Sequence, residues 1–450
     1  MALQNKRYYT WLFKAYFRRW KKTILGAIFL SIFISLGLVG LSVFYIMPLL
    51  AKDEVRTGYW GAYTLEKIPD EVINQVSMGL VKIEPDGTIS PAAAESWEIK
   101  DNKEYTFHLK KGLKFHNGTK FSSKTIPFAF ENVEKEIVDD YTIRYKLKDA
   151  YAPFLSAVAE PILLKDLSGL GQYRIRDIEL NAGFVRTLTL KNTLEPKDKK
   201  IFTFYPSEEA LKIAYTLGEV DIAENIFNIV LSDKHDLSKW PKTNVEEKVN
   251  ENVMVTIFFN AKDSVLSDKR VRQALHYALP EEVTFGKRLY SPIKESSIYF
   301  AKPPNYGISD MELSKEILET AGGAPDKPIK IRVTQDLEQT AEIVKKAWEE
   351  IGVLSEIEIV KDLSQNFQVL IYEMNVPVDP DQYILWHSDQ RNNIVGYKNL
   401  RIDKLLEDGR SITDTSERQE IYADFQKYLM DDLPASFFYH PKVYKLYRED

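Results

Sequence analysis

At 450 residues the chain is longer than one hydrophobic core usually organises, so two lobes with an attached segment are expected. Its 44% hydrophobic, 12% aromatic and 28% charged residues are those of an ordinary globular protein and exclude a low-complexity or disordered chain. Cysteine is absent, which excludes disulfides, a thiol nucleophile, cysteine-bound zinc and a lipid-modified cysteine.

The first 22 residues carry seven basic side chains, Lys6, Arg7, Lys14, Arg18, Arg19, Lys21 and Lys22, and no acidic one. From Thr23 to Ala51 no residue is charged and apolar side chains fill most of the run. About 20 apolar helical residues cross a bilayer, so this stretch predicts a transmembrane helix in contact with lipid. The basic flank before it keeps the N-terminus cytoplasmic and places the rest of the chain outside. The apolar run exceeds the roughly 7 to 15 residues of a signal peptide and no A-x-A site follows it, so an uncleaved anchor is expected. Beyond the first 22 residues the chain holds all 66 acidic residues against 60 basic ones less those seven. That acidic balance argues against nucleic acid as a partner.

A polar linker is expected from Lys52 to Tyr59, where charges return and Gly58 loosens the backbone. Alternation from Tyr105 to Leu109 and from Tyr141 to Leu147 predicts half-buried strands, the first preceded by the turn residues Asp101 and Asn102. Ser309 with Glu312 forms a capping box for a helix that ends at Gly322 and Gly323. Further apolar stripes run through Ala341, Val344, Trp348 and Ile351, and through Ile421, Phe425, Tyr428 and Leu429 after Asp414 and Glu417. Strands alternating with helices predict an α/β architecture. The histidines are scattered and no HExxH pair occurs, so neither a metal site nor a cofactor is expected.

More specific signals begin at Gly79. The segment from Gly79 to Ile83, Pro85-Asp86-Gly87 and the run from Pro91 to Trp97 are followed by Tyr105-Thr106-Phe107-His108-Leu109-Lys110-Lys111-Gly112-Leu113-Lys114-Phe115-His116-Asn117-Gly118-Thr119. In this order and spacing they resemble the family-5 extracellular solute-binding proteins, the oligopeptide- and dipeptide-binding receptors of ABC importers. The similarity continues through the segment from Leu217 to Ile222, Phe259-Asn260, the segment from Arg270 to Leu275, Asp379-Pro380-Asp381 and the segment from Gly396 to Asn399.

The resemblance implies a two-lobed periplasmic-binding-protein-like type II fold with a hinge, preceded here by the single membrane helix. On that basis residues 1–22 are a cytoplasmic basic segment and 23–51 the anchor. Residues 52–260 are the first lobe, 261–433 the second and 434–450 a return to the first, with crossovers near Asn260 and Pro434. The segment from Asn132 to Val138 is shorter than the family's usual insertion, so its additional small domain is expected to be reduced or missing.

Functionally, the resemblance implies a receptor, not an enzyme, that traps a peptide or similar small solute between its lobes and delivers it to ABC permease subunits. Expected ligand contacts are Trp60, Asp379, Trp386, His387, Asn393 and Tyr397. For the aromatic ones, core packing is the competing explanation. Asp379 and Asp381 also suit a helix cap. Long members of the family hold a peptide's amino terminus with an acid whose place falls on Val376, so recognition of a free amine does not follow from the resemblance. Two rivals remain at this level. One is an anchored envelope interaction protein with a degenerate solute-binding fold. The other is an exported hydrolase, for which no GxSxG or SxxK motif is found.

Overall fold

The computed structural model describes residues 2–41, 54–231, 235–304, 306–361 and 366–448. The chain divides into two units, one of residues 1–54 with 197–199 and one of residues 55–196 with 200–450. In the first, a single helix, Ala2–Leu41, carries the basic segment and the apolar run as far as Leu41. At about 1.5 Å per residue it is some 60 Å long. Its segment Tyr8–Val39 is long and apolar enough to cross a membrane, a property that a membrane anchor and a signal sequence share. The last part of the expected anchor, residues 42–51, lies outside the described residues, as do Lys52 and Asp53 of the expected linker.

β1 (Glu54–Trp60) begins on Glu54, which belongs to the first unit, and continues into the second. A hairpin of β2 (Val81–Ile83) and β3 (Ile89–Pro91) leads to β4 (Ala94–Lys100), β5 (Glu104–Leu109), β6 (Val133–Asp139) and β7 (Thr142–Leu147). These last four form a separate antiparallel sheet in the order β4-β5-β7-β6. β5 follows its sequence pattern, with Tyr105, Phe107 and Leu109 buried and the residues between them half-exposed. Asp101 and Asn102 both take φ of 53°, the left-handed conformation of the two central residues of a type I′ turn. Tyr105, Phe107, Phe121, Ile143, Tyr145 and Phe154 build a core of their own under this sheet. The segment 132–138, where the family's insertion was expected to be reduced, forms most of β6 at the edge of this sheet.

The remaining strands are β8 (Tyr173–Asn181), β9 (Phe184–Asn192), β10 (Lys199–Tyr205), β11 (Ile222–Ile226), the brief pair β12 (Val230–Leu231) and β13 (His235–Asp236), then β14 (Thr243–Val249), β15 (Val253–Phe259), β16 (Gly286–Arg288), β17 (Ile329–Val333), β18 (Ser355–Ile359), β19 (Val369–Asn375) and β20 (Ala435–Arg448). With β1, all but the brief pair join one 12-stranded sheet in the order β18-β17-β19-β15-β20-β11-β1-β10-β9-β8, with β14 and β16 also paired to β20.

β20 is the element that holds this sheet together. Its first half pairs with β15, from Ala435 opposite Phe258 to Tyr439 opposite Val255. Its second half pairs with β14, from Lys442 opposite Val249 to Arg448 opposite Thr243. The change of partner falls at Pro441, which has no N–H to give to a ladder. Its carbonyl accepts from Asn250 N at 2.9 Å, in the turn that joins β14 to β15. Asn260 and Pro434, expected at the crossovers, stand together at the opposite end of the β15–β20 pair, where Phe259 N donates to Pro434 O.

β15 reads as a continuous apolar run and is buried from Met254 to Phe259. Helices pack on both sides of its neighbourhood. Glu338–Glu349 buries the predicted Ala341, Val344 and Trp348, and Thr415–Asp432 is capped by Asp414, whose side chain accepts from Glu417 N. The helix Met311–Thr320 is capped by Asp310, not by Ser309. Ser309 instead donates to Leu279 O at 2.5 Å, because Asp310 is the residue whose carboxylate reaches the free N–H groups of Glu312 and Leu313.

Candidate functional site

A cavity of about 880 Å³ opens beside the turn of β20 at Pro441. One wall comes from β1 and the loop after β11, the other from β15, β19, β20 and the start of the helix Glu338–Glu349.

The first wall is aromatic. Trp60, the last residue of β1, donates its indole N–H to Asn225 O at 2.7 Å. Its ring meets Phe227 edge-on, with centroids 5.6 Å apart. Phe227 is 38% exposed, unusual for a phenylalanine that lines a concave surface. The loop carrying it is fixed by the helix Glu208–Leu217. The Glu208 carboxylate accepts from Phe227 N at 2.9 Å and Asn228 N at 3.1 Å. One turn later, buried Lys212 donates to Asn228 O and Val230 O and pairs with Glu208 at 3.1 Å. Asn225 turns the chain with φ of 58°, a conformation that asparagine tolerates better than most residues.

The second wall is set by strand register. Glu373 on β19 lies opposite Val255 on β15, and Val255 lies opposite Tyr439 on β20, so the three share one face of the sheet. The Tyr439 hydroxyl and Thr340 Oγ1 share a hydrogen bond of 2.8 Å, and Phe285 packs edge-on to the Tyr439 ring at 5.3 Å. Burial, and then the negative charge of Asp336, push the Glu373 carboxyl above the ordinary glutamate range.

Of the six residues expected to contact ligand, Trp60 lines this cavity and the other five do not. Asp379 is held by Arg418 through bonds of 2.8 and 3.0 Å. Trp386 is 1% exposed, stacks on Phe258 with centroids 6.1 Å apart and donates to Gln382 Oε1. His387 stacks on Tyr383 at 4.2 Å. Asn393 exchanges two hydrogen bonds with the backbone of Tyr397, whose hydroxyl donates to Asp432 at 2.6 Å. These residues meet one another and their neighbours inside the second half of the unit. Val376 belongs to the same core, and its N–H donates to Asn252 O. Sequence reasoning passed over Phe227, Asn228, Thr340, Tyr439 and Glu373. Glu373 left a readable signal, a lone acid in the otherwise uncharged strand β19.

The fold and this cavity define a solute receptor. The family model of the bacterial extracellular solute-binding proteins, family 5, matches residues 88–394, and the chain belongs to that family. It is thus a binding receptor of the ABC-importer type and not an enzyme. Among its relatives, the oligopeptide-binding protein AppA of Bacillus subtilis (strain 168) is 23% identical over 458 residues, covering 84% of this chain and 83% of that protein. The structure of the ABC transporter substrate-binding protein CtaP from Listeria monocytogenes superposes with a TM-score of 0.74 at 22% identity, covering 88% of this chain and 94% of that one. NikZ from Campylobacter jejuni, in complex with Ni(L-His), gives 0.71 at 20% identity, covering 89% and 95%.

Proposed function

We propose that this chain is a membrane-anchored extracytoplasmic receptor that captures a short peptide or peptide-sized solute in the cavity between Trp60 and Tyr439 and presents it to the permease of an ABC importer. The observation that carries this reading is the cavity itself. Its volume of about 880 Å³ sits within the roughly 300–1,000 Å³ usual for small-solute sites. It stands where the sheet changes partner at Pro441, the natural place for two halves to rotate about a hinge.

In this reading residues 55–249 and the end of β20 form one lobe, and residues 253–439 form the other. The hinge runs through the turn at 250–252 and through Pro441. Trp60 and Phe227 cover the solute from the first lobe, and Tyr439, Thr340 and Glu373 meet it from the second. A solute that touches both walls binds the closed form better and shifts the population toward it. The helix Ala2–Leu41 then keeps the receptor beside its permease at high effective concentration. The similarity to an oligopeptide-binding protein supports a peptide as the solute.

The test is hydrogen exchange and mass spectrometry on the full-length protein in detergent, loaded with a tryptic digest of casein. Peptides should be retained, and retention should slow exchange at 225–230 and 335–340 together. Trp60→Ala should lower retention by about tenfold, since a buried aromatic anchor contributes on the order of 1.4 kcal/mol or more. Retention that Trp60→Ala leaves unchanged, or protection on one wall alone, would show that closure on this cavity is the wrong mechanism.

A further inference from the structure

The helix Ala2–Leu41 holds more than a membrane crossing needs. Its part from Thr23 to Leu41 rises about 28 Å, close to the roughly 30 Å of a hydrocarbon core. Residues 8–22, about four turns, are left over on the basic side. At about 3.6 residues per turn, Tyr9, Phe13, Tyr16 and Trp20 fall on one side of these turns, flanked by Leu12 and Phe17. Phe13 stacks on Phe17 with centroids 6.2 Å apart, and Tyr16 leans on Trp20 at 6.5 Å. Lys14, Arg18, Lys21 and Lys22 fall on the other side, with Tyr8 and Arg19 at the border and Trp11 among the bases. Phe13 is 71% and Tyr16 65% exposed. The first acidic residue of the sequence is Asp53, so the helix holds no carboxylate to pair with its bases.

A straight run into the cytoplasm would leave the aromatic side in water and the bases without counter-ions. An aromatic side opposite a basic one is the pattern of a helix that lies in the plane of a membrane surface. Its apolar side sinks to the boundary of headgroups and acyl chains, and its bases meet anionic headgroups. Tyrosine and tryptophan suit that depth, because one end of each side chain is apolar and the other polar. Such a helix has to bend where it joins the span, and there stand Thr23 and Ile24, β-branched and weak helix formers, with Gly26 shortly after. We propose that residues 8–22 lie flat on the cytoplasmic leaflet and bind its anionic phospholipids, a second membrane contact beside the span. The inference rests on the anchored reading above, with the basic end inside, and adds the class of lipid that the anchor selects.

The chain has no cysteine, so a single introduced one can be labelled in the full-length protein. Lys14→Cys and Tyr16→Cys, close in sequence but on opposite sides of the helix, each carry a polarity-sensitive dye. The labelled proteins are reconstituted into vesicles with brominated acyl chains, of phosphatidylcholine alone or with phosphatidylglycerol added. With phosphatidylglycerol, the dye at position 16 should be quenched several-fold more than the dye at position 14. That contrast should weaken in high salt and in phosphatidylcholine alone. It should also weaken when Arg18→Gln, Lys21→Gln and Lys22→Gln are combined, since each base near an anionic surface strengthens attachment about fivefold. Weak quenching at both positions in either lipid would mean that the segment projects into water, and strong quenching at both that it belongs to the span. Either result overturns the inference while the anchor stands. A contrast that follows the protein-to-lipid ratio and not the phosphatidylglycerol would put a second copy of the chain on the aromatic side, and overturns it as well. If the protein does not float with the vesicles at all, the anchored reading fails and this inference fails with it.

Discussion

Arg418 clasps Asp379 with both ends of its guanidinium, Nη1 to Oδ2 at 3.0 Å and Nη2 to Oδ1 at 2.8 Å, and their side chains are 5% and 14% exposed. The geometry is bidentate and largely dry. Tyr299 and Tyr422 lie against the guanidinium, at 5.3 and 5.4 Å. Next to it, Asp381 pairs with Arg410 at 3.0 Å. The Asp379-Pro380-Asp381 segment, which marks the family resemblance, is thus fastened to two helices and works as a girder of the second half.

Removing one member of such a pair strands the other charge without a partner, which costs about 3–5 kcal/mol. Asp379→Asn or Arg418→Met should therefore lower the stability of the full-length protein by roughly 3 kcal/mol or more in a thermal or denaturant titration. The double replacement Asp379→Leu with Arg418→Met should recover part of that loss. Single variants within about 1 kcal/mol of wild type would mean that the pair is solvated and contributes little.

Lys212 offers a different kind of prediction, because it supports a wall of the cavity without touching its contents. Its ammonium holds Glu208, Glu209, Asn228 O and Val230 O at once, and its side chain is 6% exposed. Lys212→Met should leave Glu208 without its buried cation and free the loop that carries Phe227. Amide exchange at 225–230 should speed up, and solute retention should weaken while exchange in β15 stays slow. Unchanged exchange in that loop would show that the two bonds from Glu208 suffice to hold it.

What could be read in advance follows from how local each feature is. The membrane-length helix, the alternation of β5, the Asp101-Asn102 turn and the Asp414 cap depend on neighbours within a few residues, and the sequence pattern carries them. The partner change at Pro441 was not legible, because it depends on β14 and β15 meeting a strand whose residues lie far along the chain. For Trp386, His387, Asn393 and Tyr397 the sequence does not say which neighbours they meet, and their partners Gln382, Tyr383 and Asp432 emerge only with the fold.

Topology is open to a direct measurement. If Ala2–Leu41 is an anchor with its basic end inside, a tag at Met1 should be shielded by intact cells and a tag at Asp450 exposed to added protease. The chain should also stay with the membrane through high salt and alkaline wash. A soluble fragment lacking the helix would identify it as a cleaved signal sequence and remove the tethering from the proposed mechanism.

The last prediction concerns pH, and its sign separates Glu373 from the carboxylates that hydrogen bonds hold down. Burial and the Asp336 charge raise the Glu373 carboxyl. Between its ordinary and its raised value the folded state therefore binds more protons than the unfolded one. In that window the stability of the solute-free protein falls as pH rises and grows on acidification. Asp336 and Glu338 from the start of the helix and Tyr439 and Lys442 from β20 line the same cavity. Carboxylates such as Glu358, held down by hydrogen bonds from Lys330 and Arg332, lose stability as pH falls, so the Glu373 contribution has to be read as a difference. Melting temperature should be followed over pH for wild type and Glu373→Gln. Relative to the variant, the wild type should gain stability over the acidic interval. A flat wild-type-minus-variant curve would show that Glu373 does not titrate as a buried carboxyl in this wall.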